Sequence, residues 1–152
     1  MIVRFPGRIP AGSRPEAMGL NIDIAPTLLD YCGAPVPGNM AGRSLVGVLS
    51  GTPPVDWRQD FFYEYAEVPP RYFLEMAQGN DALQVPFLVA VRSVRHKYID
   101  YLGKADRNEL YDLAEDPGEM LNRIDDPALR PVLEDLKARL KSHEERLGWT
   151  PP

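Results

Sequence analysis

An α+β fold is predicted: a small antiparallel β-meander of about four strands, covered on one face by a C-terminal amphipathic helix. Three observations predict it. Strand-like runs at Phe87–Val94, Lys97–Leu102 and Glu109–Leu113 follow one another through short connections, which favours antiparallel neighbours. A fourth run, Phe61–Glu67, is rich in aromatics, as pleated half-buried surfaces are. Finally, Leu129, Val132, Leu133, Leu136, Leu140 and Leu147 recur at helical spacing with Lys and Glu between them, the pattern of a helix with one buried stripe.

The elements follow in chain order. Met1–Phe5 is short, apolar and β-branched and stops at Pro6-Gly7, which reads as a buried strand without an obvious partner nearby. Residues 8–16 carry Pro10, Gly12, Ser13 and Pro15 and read as a loop. Asp23 is placed to cap a helix of two to three turns through Cys32, with Pro26 tolerated in the first turn and Gly33 as its stop. Ser44–Leu49 reads as a short helix ended by Gly51, Pro53 and Pro54. Residues 68–86 contain Pro69, Pro70, Gly79, Asn80 and Pro86, with Tyr72–Ala77 as a possible short helix; long irregular insertions carry function more often than architecture. Arg95-His96 is the expected hairpin connection, and 103–108 a longer turn. Asp126-Pro127 supplies the cap and first turn of the last helix, which Gly148 and Pro151 end.

Composition narrows the function classes. The chain has 152 residues, 44% of them hydrophobic, which is enough for a core, and the length fits one domain or one domain plus a piece of another. A net charge of -5 disfavours electrostatic binding of nucleic acid or an anionic membrane. No apolar run approaches the roughly 18 residues of a membrane span, and Met1–Arg14 lacks the order of a signal peptide; the chain is expected to be soluble, with its compartment open. One cysteine permits neither an internal disulfide nor a multi-cysteine zinc site.

No complete catalytic constellation is visible. His96 in the expected turn and His143 near a helix end read as solvated or dipole-favoured side chains. Cys32 reads as a buried, inert thiol. Asp112, Glu115, Asp116, Glu119, Asp125 and Asp126 crowd one segment, but Pro117 and Pro127 punctuate them as turn and cap residues, not as a calcium loop. No serine lies in a nucleophile elbow and no glycine-rich phosphate loop occurs. Neither catalytic nor metal-ligating residues are therefore assigned. In the last turn-rich segment Pro117 sets a tight turn between Asp112 and Asp116, Glu119 is placed to cap the next turn, and Asn122 to take a left-handed backbone. Lys97 and Tyr98 must point to opposite faces of their strand, and Tyr111 and Leu113 to bury together.

Three ordered stretches resemble the C-terminal third of type I sulfatases, in the alkaline phosphatase superfamily. They are Ile2–Gly12, similar to a strand followed by a Pro-Gly loop; Asn21–Asp30 through Pro37 and Gly42-Arg43-Ser44-Leu45; and Val91–Ile99 followed by Glu109–Asn122, with its E-L-Y-D-L and D-P-x-E-x-x-N pattern. The resemblance implies that residues 1–55 are the tail of an α/β catalytic domain and 56–152 the C-terminal subdomain. It also implies a sulfuric ester hydrolase whose formylglycine nucleophile and calcium belong to the full-length protein. The formylglycine motif, C-x-P-x-R or S-x-P-x-R, is absent: Cys32-Gly33-Ala34-Pro35-Val36 has its proline one place late and no arginine. The chain alone is thus expected to be inactive, with the missing N-terminal catalytic domain as partner, a sulfate ester as the full-length substrate, and self-association through exposed apolar faces. A non-catalytic binding or structural module of the same fold, or part of a phosphonate or phosphate ester hydrolase, is the alternative. Substrate-rim candidates lie on and after the first strand of the meander: Glu64 to accept sugar hydroxyls, Arg71 to pair with an anionic group, and Tyr72 to stack.

Overall fold

The computed structural model describes residues 1–65 and 87–151. They fall into two compact units, Met1–Gln59 and Asp60–Pro152. Two of the rim candidates, Arg71 and Tyr72, lie outside the described residues, as do Ala66 and Glu67 of the expected first strand.

In the first unit a single 3-10 turn, Asn21–Asp23, runs into helix α1, Ile24–Tyr31. Pro26 sits in the first turn of α1, where its missing N–H has no helical partner to lose. Gly33, at φ 68°, ends the helix, and Ala34 N–H then donates to Leu29 O at 2.9 Å, closing one of the orphan carbonyls. The short helix α2, Val46–Leu49, is tied to α1 through buried Thr27, whose hydroxyl donates to Asp23 O at 2.5 Å and accepts from Leu45 N–H at 2.8 Å. Leu45, Val48, Leu49 and Trp57 form the core of this unit.

Met1–Phe5 is not a strand. A strand needs a ladder partner for its backbone N–H and C=O groups, and none of the described residues pairs with it; instead Phe5 O accepts from Ile9 N–H at 2.9 Å in a turn. Ile2 is 100% exposed, Val3, Phe5 and Leu28 are also exposed, Leu29 is half-buried, and Leu45 is 2% exposed.

The second unit is the expected meander and helix. Strands β1 (Asp60–Tyr65), β2 (Leu88–Ser93), β3 (His96–Tyr101) and β4 (Glu109–Asp112) pair antiparallel in the order β1-β2-β3-β4. The β2–β3 hairpin turns one residue earlier than expected, at Val94-Arg95, because Ser93 Oγ accepts from His96 N–H at 2.9 Å and donates to His96 O at 3.1 Å. Phe62, Val91, Tyr98 and Leu110 lie in one row across the sheet. Helix α3, Arg130–Leu147, seats Leu136 and Leu140 against this row, with Val89 completing the buried cluster. Asp126 Oδ1 accepts from Ala128 N–H at 2.8 Å and caps a 3-10 turn, Pro127–Leu129, ahead of α3. Leu147 is 54% exposed, outside the core: Gly148, at φ 62°, reverses the chain, and Trp149 takes that place against Phe62. The opposite face carries Ala90, Ile99 and Tyr111, packed with Leu88, Tyr101 and Leu113.

Candidate functional site

Strand β1 is an outermost one of the described strands, and its period of two puts Asp60, Phe62 and Glu64 on the helix side. Asp60 receives two α3 side chains, Arg139 Nη1 at 2.9 Å and His143 Nε2 at 2.8 Å. Burial opposes ionisation of Asp60, but those two partners outweigh it, so its carboxyl is held below its ordinary value of 3.8. His143 is therefore a partly buried partner of Asp60, with its Nδ1 facing Arg146 at 2.8 Å; of the two readings expected, solvated or dipole-favoured, the solvated one does not hold. Glu64, the one rim candidate among the described residues, is exposed, and its carboxylate accepts from Trp149 Nε1–H.

The hairpin and the last turn hold a second charged cluster. Arg95 grips Asp112 in a bidentate pair, with Nη2 to Oδ2 at 2.7 Å. That guanidinium, outweighing burial and joined by the Ala114 and Glu115 amides, holds the Asp112 carboxyl well below the carboxylate range. His96 begins β3, with its side chain only 16% exposed and Nε2 3.7 Å from Asp112; burial is the main cause that lowers it below 6.5. This too departs from the solvated turn residue expected.

Backbone conformation and side-chain bonding are exchanged between two residues of the last motif. Glu119 takes the left-handed backbone, φ 53°, and pairs with Lys97. Asn122 instead uses its amide, with Oδ1 accepting from Leu110 and Ile124 N–H at 3.0 Å each and Nδ2 donating to Asn108 O at 3.1 Å. Asp112 and Asp116 serve the turn as expected, Asp116 Oδ2 accepting from Leu121 N–H at 2.8 Å. Tyr98, opposite Lys97, is 1% exposed.

A third cluster lies in the first unit. Asp23 is 0% exposed and binds Arg58 through both oxygens, and it accepts from Leu20 N–H and Arg43 N–H at 2.8 Å each. It is thus a buried hub and not the side-chain cap of α1. Arg43 and Arg58 each hold their guanidinium 4.8 Å from the Trp57 ring centroid. Cys32 is exposed at the end of α1, contrary to the buried thiol expected. Among the described residues no three His, Cys, Asp or Glu side chains converge to hold a metal ion, and no helix is long and apolar enough to cross a membrane. The calcium implied by the resemblance therefore has no ligand set among them.

Sequence reasoning missed Asp60, His143 and Trp149. The first two meet across 83 residues, beyond any local pattern. Trp149 did leave a signal: an apolar residue directly after a helix-ending glycine commonly folds back onto the helix or its neighbours.

The four-stranded meander with its C-terminal helix matches the C-terminal subdomain of sulfatase structures. The chain belongs to the N-sulphoglucosamine sulphohydrolase, C-terminal family, whose model matches residues 1–146. It is 36% identical over 124 residues to an N-acetylglucosamine-6-O-sulfatase of Bacteroides thetaiotaomicron, covering 80% of this chain and 20% of that protein. It is also 33% identical to a Δ4,5-hexuronate-2-O-sulfatase of the same organism, covering 82% and 23%. A solved structure of a protein in complex with its substrate D-glucosamine-2-N,6-O-disulfate matches with a TM-score of 0.79 and 32% identity, over 95% of this chain and 27% of that one. A phosphonate monoester hydrolase from Silicibacter pomeroyi matches with a TM-score of 0.62 and 30% identity, over 86% and 26%. The chain spans about a fifth to a quarter of the length of these relatives.

Proposed function

We propose that this chain is the C-terminal portion of a sulfuric ester hydrolase acting on a sulfated amino sugar, and that it supplies the subdomain at the rim of the substrate cleft. The observation that carries this reading is the match over 95% of the chain, at a TM-score of 0.79, to a protein holding D-glucosamine-2-N,6-O-disulfate. In this reading residues 1–55 complete the α/β catalytic domain, and the exposed Ile2, Val3, Phe5 and Leu28 dock against the rest of it, which would remove their apolar surface from water. A calcium ion and a formylglycine, held by the N-terminal portion, supply charge stabilisation and the nucleophile. Residues of this chain orient the sugar, with Glu64, Arg71 and Tyr72 as the rim.

The test is a chimera in which this chain replaces the corresponding C-terminal part of the Bacteroides thetaiotaomicron N-acetylglucosamine-6-O-sulfatase. Desulfation of N-acetylglucosamine-6-sulfate is expected from the chimera, and none from the isolated chain. A folded chimera that cleaves a phosphonate monoester in preference to any sulfated sugar, or neither, would overturn the reading.

A further inference from the structure

The end of α3 and strand β1 build an aromatic platform beside a carboxylate. Gly148 turns the chain at φ 62° and lays Trp149 across Phe62, with ring centroids 6.0 Å apart and planes at 61°. The indole N–H is then fixed by the Glu64 carboxylate. Three independent restraints thus set the orientation of the Trp149 ring. Trp149 is only half-buried and Glu64 is exposed, so neither contact seals the pair from solvent. Among the described residues, the cationic side chains of this stretch of α3 are committed elsewhere: Arg139 to Asp60 and Asp135, and Arg146 to His143.

We propose that Trp149 and Glu64 form a subsite for an unsulfated amino-sugar ring. The inference rests on the sulfated-amino-sugar reading above and adds the ring unit that carries no sulfate. The C–H face of a pyranose is apolar and stacks on an indole, and an ammonium group over the same ring gains a cation–π attraction. A carboxylate only accepts hydrogen bonds, so Glu64 selects ring substituents that donate, hydroxyl or ammonium, and repels a sulfate. A ring already fixed loses little side-chain freedom on binding. Glu64 alone, as read from the sequence, would take any hydroxyl; the Trp149 contact gives the site a face and a direction.

The test uses the chain as it stands. Its tryptophan indole N–H groups, Trp57 and Trp149, give separate nitrogen-15 resonances, assigned with a Trp149→Phe variant. Titration with methyl glucosaminide should move the Trp149 signal saturably and leave Trp57 still. The 6-sulfated and N-sulfated sugars should bind more weakly, and Glu64→Gln should weaken binding of the unsulfated ring about tenfold, the loss of one charge-assisted hydrogen bond. The amide spectrum of Glu64→Gln reports that it is folded. An unmoved Trp149 signal, equal response to sulfated and unsulfated rings, or unchanged binding by folded Glu64→Gln would overturn the subsite. An active chimera with a silent Trp149 sinks the subsite alone, whereas an inactive chimera with a responsive Trp149 sinks the sulfatase reading alone.

Discussion

Replacing Asp23 by alanine tests whether the buried hub of the first unit holds it together. The Asp23 side chain is 0% exposed and that of Arg58 is 12% exposed. Removing the carboxylate leaves a nearly buried guanidinium without its counter-charge, and the Leu20 and Arg43 amides without their acceptor. Breaking a buried pair from one side costs about 3–5 kcal/mol, and stranded amides with some access to water add little beyond that. With a urea dependence of about 1.5 kcal/mol per molar for a small unit, the midpoint should fall by about 2–3 M. Asp23→Asn keeps acceptor oxygen and shape, and should cost about 2 kcal/mol, the worth of hydrogen bonds to a charged group. Trp57, enclosed by Arg43 and Arg58 with its Nε1–H on Met18 O at 2.9 Å, is the reporter; its fluorescence is followed in a Trp149→Phe background. A midpoint shift equivalent to under about 1 kcal/mol for Asp23→Ala would refute the hub, because Arg58 would then be finding water in the folded state.

Three further outcomes are expected. Asp60 and Asp112 titrate below the ordinary 3.8, so their stabilisation is complete above about pH 4 and is lost as pH falls through their folded values. His96 sits below 6.5, so the unfolded chain takes up its proton first and stability begins to fall below about pH 6.5; thermal melts across this range should show the upper step vanish in His96→Gln. Leu136→Ala, at a position 1% exposed, should destabilise the second unit by about 2–5 kcal/mol, whereas Leu147→Ala, at 54% exposure, should change it by under about 0.5 kcal/mol in denaturant titrations. A Cβ at Gly42 would stand 2.0 Å from Ile22 O, and because that neighbour is backbone, Gly42→Ala should cost the first unit about 1–3 kcal/mol or more, read from the Trp57 transition.

The sequence determined the elements whose signals are local. Strand-like runs, aromatic content and short connections predicted the meander of the second unit, and apolar spacing at Leu129–Leu140 predicted the face that α3 buries. Gly33 and Gly148 marked helix ends because both take positive φ, and Asp112, Asp116 and Pro117 marked a turn through side-chain bonds a few residues long. The ordered motifs likewise carried the family, since they are scaffold patterns readable without contacts.

Tertiary structure alone decided the pairings between distant residues. Asp60 with His143, and Glu64 with Trp149, join positions 83 and 85 apart, and no pattern along the chain specifies which carboxylate a helix will reach. Met1–Phe5 shows the same limit from the other side: its residues suit a strand, but a strand exists only where a ladder partner takes up its backbone groups. Glu119 and Asn122 also depart from the expected roles: the Asn122 amide bridges Leu110, Ile124 and Asn108, and the left-handed backbone falls at Glu119. Local chemistry is written in neighbouring residues, while burial and long-range partners are set only when the sheet and helix close on each other.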